Sequence, residues 1–459
     1  MYQINFNKPE HIHFIGIGGI SMSGLAEILL GAGFSISGSD AKPSKLTARL
    51  ESLGANIFYG QCAENISENY NCVVYTAAIH PDNPEFARCV ELNLPMLSRA
   101  ELLGQIMKNY QTSIAVSGTH GKTTTTSMLS SVLLAAQTDP TISVGGILDA
   151  IGGNIRVGKS ETFITEACEY TNSFLSFYPT MSIILNIEED HMDFFKDLDD
   201  IMNSFRLFAE RLPKDGVLII NKEIKNYEKV TDGLDCKVIT YGMDDSCDYY
   251  AVNVSYNDRA CGQFDVMYRG EFLGHVCLSV TGEHNVSNAL STIAAARHLN
   301  IGFPQIQAGL AGFSGTNRRF QYKGTVGGVT IIDDYAHHPE EISAALSSIR
   351  NSYPDMKMTA IFQPHLYTRT RDFAPEFAEA LSKADKLILL DIYPARELPI
   401  PGVTSEIIFK DVTCPEKVLL QRNELMDYLQ NEELELVVTI GAGDIDRFVG
   451  EIAKMLENR

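Results

Sequence analysis

The sequence predicts an α/β chain of three domains: Rossmann-like at the N-terminus, P-loop type with a parallel or mixed sheet in the centre, and Rossmann-like again at the C-terminus. Three observations predict it. A strand, glycine turn, helix, strand and acidic residue follow one another from Ile12 to Asp40. A strand–glycine loop–helix start spans Ser113-Ile-Ala-Val-Ser-Gly-Thr-His-Gly-Lys-Thr-Thr-Thr-Thr126. Beyond Gly315 the strand–helix rhythm restarts. At 459 residues the chain also exceeds what one hydrophobic core holds. The polar stretch Lys108–Thr112 and the linker from Gly315 set the expected domains at 1–108, 109–314 and 315–459.

Composition narrows the function classes. Hydrophobic residues at 45% and charged residues at 21% are those of a soluble globular protein. A net charge of −21 argues against a nucleic-acid binder, and any anionic ligand must be held by local positive groups against that field. The nine cysteines show no Cys-x-x-Cys spacing and read as reduced thiols. No basic segment followed by an apolar one opens the chain, and no apolar run reaches membrane-spanning length. The expectation is a cytoplasmic protein with no membrane insertion.

In the N-terminal domain, Ile12–Ile15 reads as a strand, followed by Gly16-Ile-Gly-Gly-Ile-Ser-Met-Ser-Gly24 and a helix over Leu25–Gly31. A second strand, Ser35–Ser37, ends in Gly38-Ser39-Asp40. This is the dinucleotide-fold order, but Ser21 stands at the third glycine position. The turn therefore marks a phosphate or pyrophosphate site more firmly than it names the ligand. A strand at Val73–Thr76 follows. Ser98-Arg-Ala-Glu101 opens the next helix, with Arg99 placed either to meet an anion or to stay solvated.

In the central domain, Ile114–Val116 is a buried strand and Ser127–Ala136 a helix. Between them, Gly118-x-x-Gly121-Lys122-Thr123 presents backbone N–H groups and a helix dipole to an anion. Two residues separate these glycines where the usual loop has four. Lys122 reaches outer phosphates and the Thr123 hydroxyl suits Mg²⁺. The plain alternative, an ordinary glycine-rich turn, does not account for Lys-Thr-Thr directly after the glycine. Strands at Phe163–Thr165 and Ser182–Asn186 end in Glu166-Ala-Cys-Glu169 and Ile187-Glu-Glu-Asp-His-Met-Asp193. Taken singly, Glu166 and His191 read as a surface acid and a satisfied histidine; beside Lys122-Thr123 they read as Mg²⁺ ligands. Val217–Ile220 and the alternating stretch Tyr249–Leu278 suggest strands added at the sheet edge. Gly282-Glu-His-Asn-Val-Ser-Asn288 opens a helix over Ala289–His298. Asn285 and Asn288 suit either adenine recognition or N-capping of that helix.

The C-terminal domain is expected to be of parallel type, with strands at Val329–Ile332, Thr359–Phe362, Lys386–Asp391 and Leu436–Ile440. Their loops are Asp333-Asp-Tyr-Ala-His-His-Pro339, Gln363-Pro-His-Leu-Tyr-Thr-Arg-Thr-Arg371 and Gly441-Ala-Gly-Asp444. Adjacent His337 and His338 read as orienting groups, because neighbouring residues rarely ligate one ion.

Eight of these stretches, in this order, resemble the Mur ligases: residues 16–26, 118–124, 186–193, 284–289, 317–320, 333–339, 363–370 and 441–444. The resemblance spans essentially the whole chain. It implies a P-loop ATPase-type central domain and a bacterial, cytoplasmic enzyme of peptidoglycan precursor synthesis. The members most alike join L-alanine to the lactoyl carboxylate of UDP-N-acetylmuramic acid with ATP cleavage; the alternative is a recycling ligase that adds a tripeptide to the same nucleotide sugar. By resemblance, Gly118, Thr119, His120, Gly121, Lys122, Thr123 and Thr124 hold ATP, with Asn285, Asn288, Arg319 and Asp334. Thr123, Glu166 and His191 take Mg²⁺, with Mn²⁺ as a substitute. Gly16, Gly18, Gly19, Ser39, Asp40 and Arg99 hold the UDP-sugar. His338, His365 and Arg369 face the reacting groups, Arg369 taking the alanine carboxylate; Lys122, His191, His365 and Arg369 form the catalytic set. The implied oligomeric state is a monomer or homodimer, and the C-terminal domain closes over ATP. Three features depart from the family pattern: Ser21 for a common glycine, Leu366 for a second arginine, and Cys168 for a common aspartate. The carbamylated lysine of sister ligases has no clear counterpart at Lys196 or Arg206.

Overall fold

The computed structural model describes residues 2–76, 78–192, 194–257, 260–315, 318, 320–395 and 397–459. The chain forms two compact units that part near residue 315.

The first unit carries two sheets. The N-terminal one has five parallel strands in the order Asn56–Tyr59, Ser35–Asp40, His11–Ile15, Cys72–Tyr75, Met96–Ser98. The order reverses beside His11–Ile15, so the glycine turn after that strand opens into the crevice where doubly wound sheets take ligands. The helix after the turn begins at Ile20, five residues before the expected start, and runs to Gly31. Ser21 and Met22 are compatible with its first turn, and the glycines that suggested a longer loop end at Gly19.

The second sheet has ten strands, in the order Glu271–Thr281, Cys261–Tyr268, Tyr249–Tyr256, Lys237–Gly242, Val217–Asn221, Met181–Ile184, Thr112–Ser117, Thr162–Glu166, Thr141–Leu148, Gly153–Arg156. The middle strands are parallel, while Tyr249–Tyr256 with Cys261–Tyr268 and Thr141–Leu148 with Gly153–Arg156 run antiparallel at the two edges. The alternating stretch from Tyr249 is thus an edge meander. Thr112–Ser117 lies between Met181–Ile184 and Thr162–Glu166, with Ala115 opposite Ser182 on one side and Thr165 on the other. That register brings three strand ends to one place. The following helix begins at Lys122 itself and runs to Ala135. Four threonines at its start are poor helix formers, which is why the sequence suggested a later beginning.

Both sheets of this unit share one apolar core, in which Leu102 and Ile106 join Phe174, Phe177 and Phe205. The helix Arg99–Met107 approaches the turn Tyr170–Ser176 so closely that a Cβ on Gly104 would stand 1.9 Å from the Ser176 carbonyl oxygen.

The second unit holds a six-stranded sheet ordered Gln321–Val326, Val329–Asp334, Leu436–Ile440, Met358–Phe362, Lys386–Leu390, Glu416–Leu420. Five strands are parallel: the four expected, and Glu416–Leu420 beside Lys386–Leu390, where no strand was expected. Gln321–Val326 is an added antiparallel edge, paired through the Gly327-Gly328 turn. Its exposed, polar face gave no strand signal. No helix among the described residues is long and apolar enough to cross a membrane.

Substituting Gly104→Val is expected to lower stability by about 1–3 kcal/mol or more through overpacking. Denaturant unfolding would show it as a lowered midpoint; an unchanged midpoint would mean that the helix and the turn yield freely.

Candidate active site

Gly118 and Gly121 adopt φ of +140° and +83°, conformations a side chain disfavours. Space forbids one as well: a Cβ on Gly118 would meet Leu185 at 2.9 Å, and one on Gly121 would meet the Asn288 amide at 3.0 Å. The loop is clipped to the 186–191 segment. His120 N donates to Asn186 Oδ1 at 2.7 Å, Asn186 Nδ2 donates to His120 O at 3.2 Å, and Glu188 N donates to Thr119 Oγ1 at 2.9 Å.

Lys122 turns its ammonium back into this loop. It donates to Gly118 O at 2.6 Å and Thr119 O at 3.1 Å, and to both oxygens of Glu169 at 3.1 and 2.9 Å. Glu169 is 1% exposed. Burial pulls the Lys122 pKa down, but Glu169, with Cys168 and Glu166 behind it, outweighs burial and holds the group above the ordinary lysine value. Lys122 and Glu169 form an ion pair at 2.9 Å.

Beside it, Thr123 Oγ1 donates to Glu166 Oε2 at 2.9 Å, and Glu166 Oε1 accepts from Gly145 N at 2.5 Å. His191, at φ +55°, places Nε2 3.8 Å from Glu169 Oε1 and stacks at a tilt on Tyr170 at 4.5 Å. Among the described residues, Glu169, Asp190 and His191 put one donor atom each within 4.8 Å of one another. The structure thus brings Thr123 and Glu166 together directly, whereas His191 joins Glu169 and Asp190. Neither Glu169 nor Asp190 was singled out from the sequence. The signal was present, since both lie in strand-end loops beside selected residues, but a Lys–Glu pair 47 positions apart leaves no spacing to recognise. A hydroxyl, three carboxylates and an imidazole are a donor set that fits Mg²⁺ or Mn²⁺.

Asn285 and Asn288 lie inside the helix His284–His298, not at its cap. Both are buried, with Asn288 Nδ2 donating to Asn285 Oδ1 at 3.0 Å, and Asn288 sits behind Gly121.

In the N-terminal sheet, Gly16 N and Ile17 N donate to Ser39 O at 2.9 and 3.0 Å, closing the turn. Gly18 N donates to Asp40 Oδ2 at 2.8 Å, and a Cβ on Gly18 would come within 2.7 Å of that oxygen. Gly19 precedes the helix, whose first-turn Ser21 accepts from Arg99 Nη1 at 3.2 Å. Burial pulls the Arg99 guanidinium pKa down, opposed by Cys168. Cys168 in turn is pushed up by burial and drawn down by Lys122 and Arg99, so its thiol lies within electrostatic reach of both cations.

In the second unit, Asp334 accepts from Phe320 N and Ala336 N, each at 2.7 Å. Arg369 Nη1 lies 3.4 Å from His365 Nδ1, and the His365 ring stacks on Tyr393 at 5.8 Å. His337 comes 6.2 Å from His365, while His338 sets its ring against Phe373 at 4.7 Å. Leu366, between His365 and the helix Tyr367–Asp372, takes φ +74°, strain of the sort that clusters at functional sites. Arg319, Asn317 and Asp193 lie outside the described residues. Arg318, which had no assigned role, donates to Gly443 O at 3.0 Å and to Gly441 O.

Removing Lys122 leaves a carboxylate buried and unpaired. Lys122→Ala is therefore expected to cost about 3–5 kcal/mol of stability, most of it recovered in Lys122→Ala/Glu169→Gln. Equal unfolding midpoints for the single and double variants would refute the pairing.

Three family models match the chain: "Mur ligase family, catalytic domain" over residues 11–111, "Mur ligase middle domain" over 116–296, and "Mur ligase, glutamate ligase domain" over 318–443. A UDP-N-acetylmuramate–L-alanine ligase of Agathobacter rectalis is 55% identical over 457 residues, covering 97% of this chain and 98% of the relative. Among solved structures, the UDP-N-acetylmuramate-alanine ligase of Thermotoga maritima matches with a TM-score of 0.77 at 29% identity, covering 97% of this chain and 99% of that one. A murein peptide ligase of Psychrobacter arcticus matches with a TM-score of 0.71, covering 98% and 99%; at 24% identity that likeness is one of fold.

Proposed function

The chain belongs to the Mur ligase family, and we propose that it joins L-alanine to the lactoyl carboxylate of UDP-N-acetylmuramic acid. ATP is cleaved to ADP and phosphate, and the product is UDP-N-acetylmuramoyl-L-alanine. The observation that carries this reading is the Lys122 loop with its Thr123–Glu166 pair, set in a chain that corresponds end to end with the Agathobacter alanine ligase.

The chemistry fits the groups present. A carboxylate is a poor electrophile; phosphorylation by the γ-phosphoryl group converts it to an acyl phosphate, which the alanine amine attacks through a tetrahedral intermediate. Phosphoryl transfer needs positioning and charge neutralisation more than covalent help. Residues 118–124, with Asn285 and Asn288, hold the nucleotide, Lys122 meeting its outer phosphates. Thr123, Glu166 and His191 would hold Mg²⁺, which supplies charge neutralisation at the phosphates. Gly16, Gly18, Gly19, Ser39, Asp40 and Arg99 hold the UDP-sugar, Arg99 on the anionic side. Asp334 and Arg319 serve ATP from the C-terminal domain, and His338 and His365 serve the reacting groups. Arg369 takes the alanine carboxylate, which its planar fork matches. The nucleotide-sugar substrate makes the cytoplasm the compartment this reading implies.

The recycling ligase is the second reading, and it shares much of the fold. Phosphate release with ATP and UDP-N-acetylmuramate is expected with L-alanine and not with the murein tripeptide. Turnover with the tripeptide alone would overturn the assignment. Arg369→Ala is expected to raise the KM for alanine about tenfold or more, the scale of one lost charge-assisted contact, while the KM for ATP changes little. An unchanged alanine KM would remove Arg369 from that role.

A further inference from the structure

The Lys122 ammonium has three N–H donors and four acceptors around it, namely Gly118 O, Thr119 O and both Glu169 oxygens. No donor is left over for a phosphate. Engaging one means giving up an acceptor, and Glu169 is the anion that a phosphate replaces like for like; its carboxylate is 1% exposed and would then be buried without its counter-charge. A replacement cation has a place prepared for it. Asp190 and His191 offer donor atoms within 4.8 Å of each other and of Glu169.

We propose that Glu169 is a positioning residue that makes nucleotide and divalent-cation binding cooperative: Lys122 passes from Glu169 to phosphate as a cation takes its place on the Glu169 carboxylate. The lysine and the cation compete for one carboxylate, so a cation on Glu169 favours the lysine's departure to the phosphates, and a lysine drawn to the phosphates frees Glu169 for the cation. By linkage, nucleotide tightens cation binding by the factor through which cation tightens nucleotide binding. The device also guards the loop. A metal-free polyphosphate meets an occupied lysine and the carboxylates Glu166, Glu169 and Asp190. This inference rests on the ATP-ligase reading and adds an order to how that site fills.

The test is calorimetric binding of the β,γ-imido analogue of ATP to the full chain, with Mg²⁺ and with a chelator. In the unsubstituted protein the two dissociation constants are expected to differ widely. In Glu169→Gln their ratio is expected to shrink about tenfold, within the usual span of coupling between sites, chiefly because metal-free binding tightens. Glu169→Asp, which keeps the charge, should restore the ratio. A ratio unaltered in Glu169→Gln overturns the proposal. A second arm uses Mn²⁺ alone, read by paramagnetic resonance on nucleotide-free protein. Lys122→Met is expected to bind Mn²⁺ about tenfold more tightly than the unsubstituted chain, and to lose that gain in Lys122→Met/Glu169→Gln. Equal Mn²⁺ affinity with and without Lys122 overturns the exchange. Absence of analogue binding to the unsubstituted protein in both conditions would instead sink the ATP-ligase reading itself.

Discussion

A lysine ammonium taken out of water must be paired, and the nucleotide side of this protein is arranged around how Lys122 is paired. Its contacts with Gly118 O and Thr119 O tie the loop into a ring, and Glu169 anchors the ring from the neighbouring strand end. A buried ion pair is a poor source of stability, because desolvation offsets the attraction. Its presence is better explained by exchange: the carboxylate keeps the ammonium charged and oriented until another anion takes it. The parallel register makes this possible. Thr112–Ser117 has its two sheet partners in Thr162–Glu166 and Met181–Ile184, so the loops bearing Glu166, Glu169, Asp190 and His191 all emerge beside Gly118–Lys122.

A chain with a net charge of −21 repels its own polyanionic ligands at long range. The positive field must therefore come from nearby parts. Two strand–glycine–helix turns supply oriented N–H groups and helix starts. Lys122 and Arg99 supply full charges. Both cations are sheltered from solvent, where their attraction is screened less by water and salt. A charge census of the sequence shows the deficit; it does not show how the few cations are focused.

What could be read from the sequence was whatever rests on local pattern. The Gly16–Gly19 turn, the Gly118–Thr123 loop and the main parallel strands follow from short spacings, while the Thr123–Glu166 partnership, 43 positions apart, followed from the metal chemistry that the loop implies. Boundaries were less legible where propensity and context disagree, as at the threonine-rich start of the helix from Lys122 and at Ile20. The added edge strand Gln321–Val326 is polar and half exposed, so it carried no periodic signal. Glu169 escaped selection for another reason. Its importance lies in a partner distant in sequence, Lys122, and only the folded register brings the two together.

The thiol at Cys168 bears on how tightly Lys122 is held. It stands within the electrostatic reach of both Lys122 and Arg99. An ionised carboxylate here would attract both cations and compete with an incoming anion. Burial pushes the Cys168 thiol up, which disfavours its ionised form and so opposes a second negative charge beside the two cations. Glu169 makes the direct ion pair with Lys122, through both of its oxygens. Fewer fixed negative charges beside Lys122 leave its hold set by one carboxylate, and a single carboxylate can be relieved by a single cation.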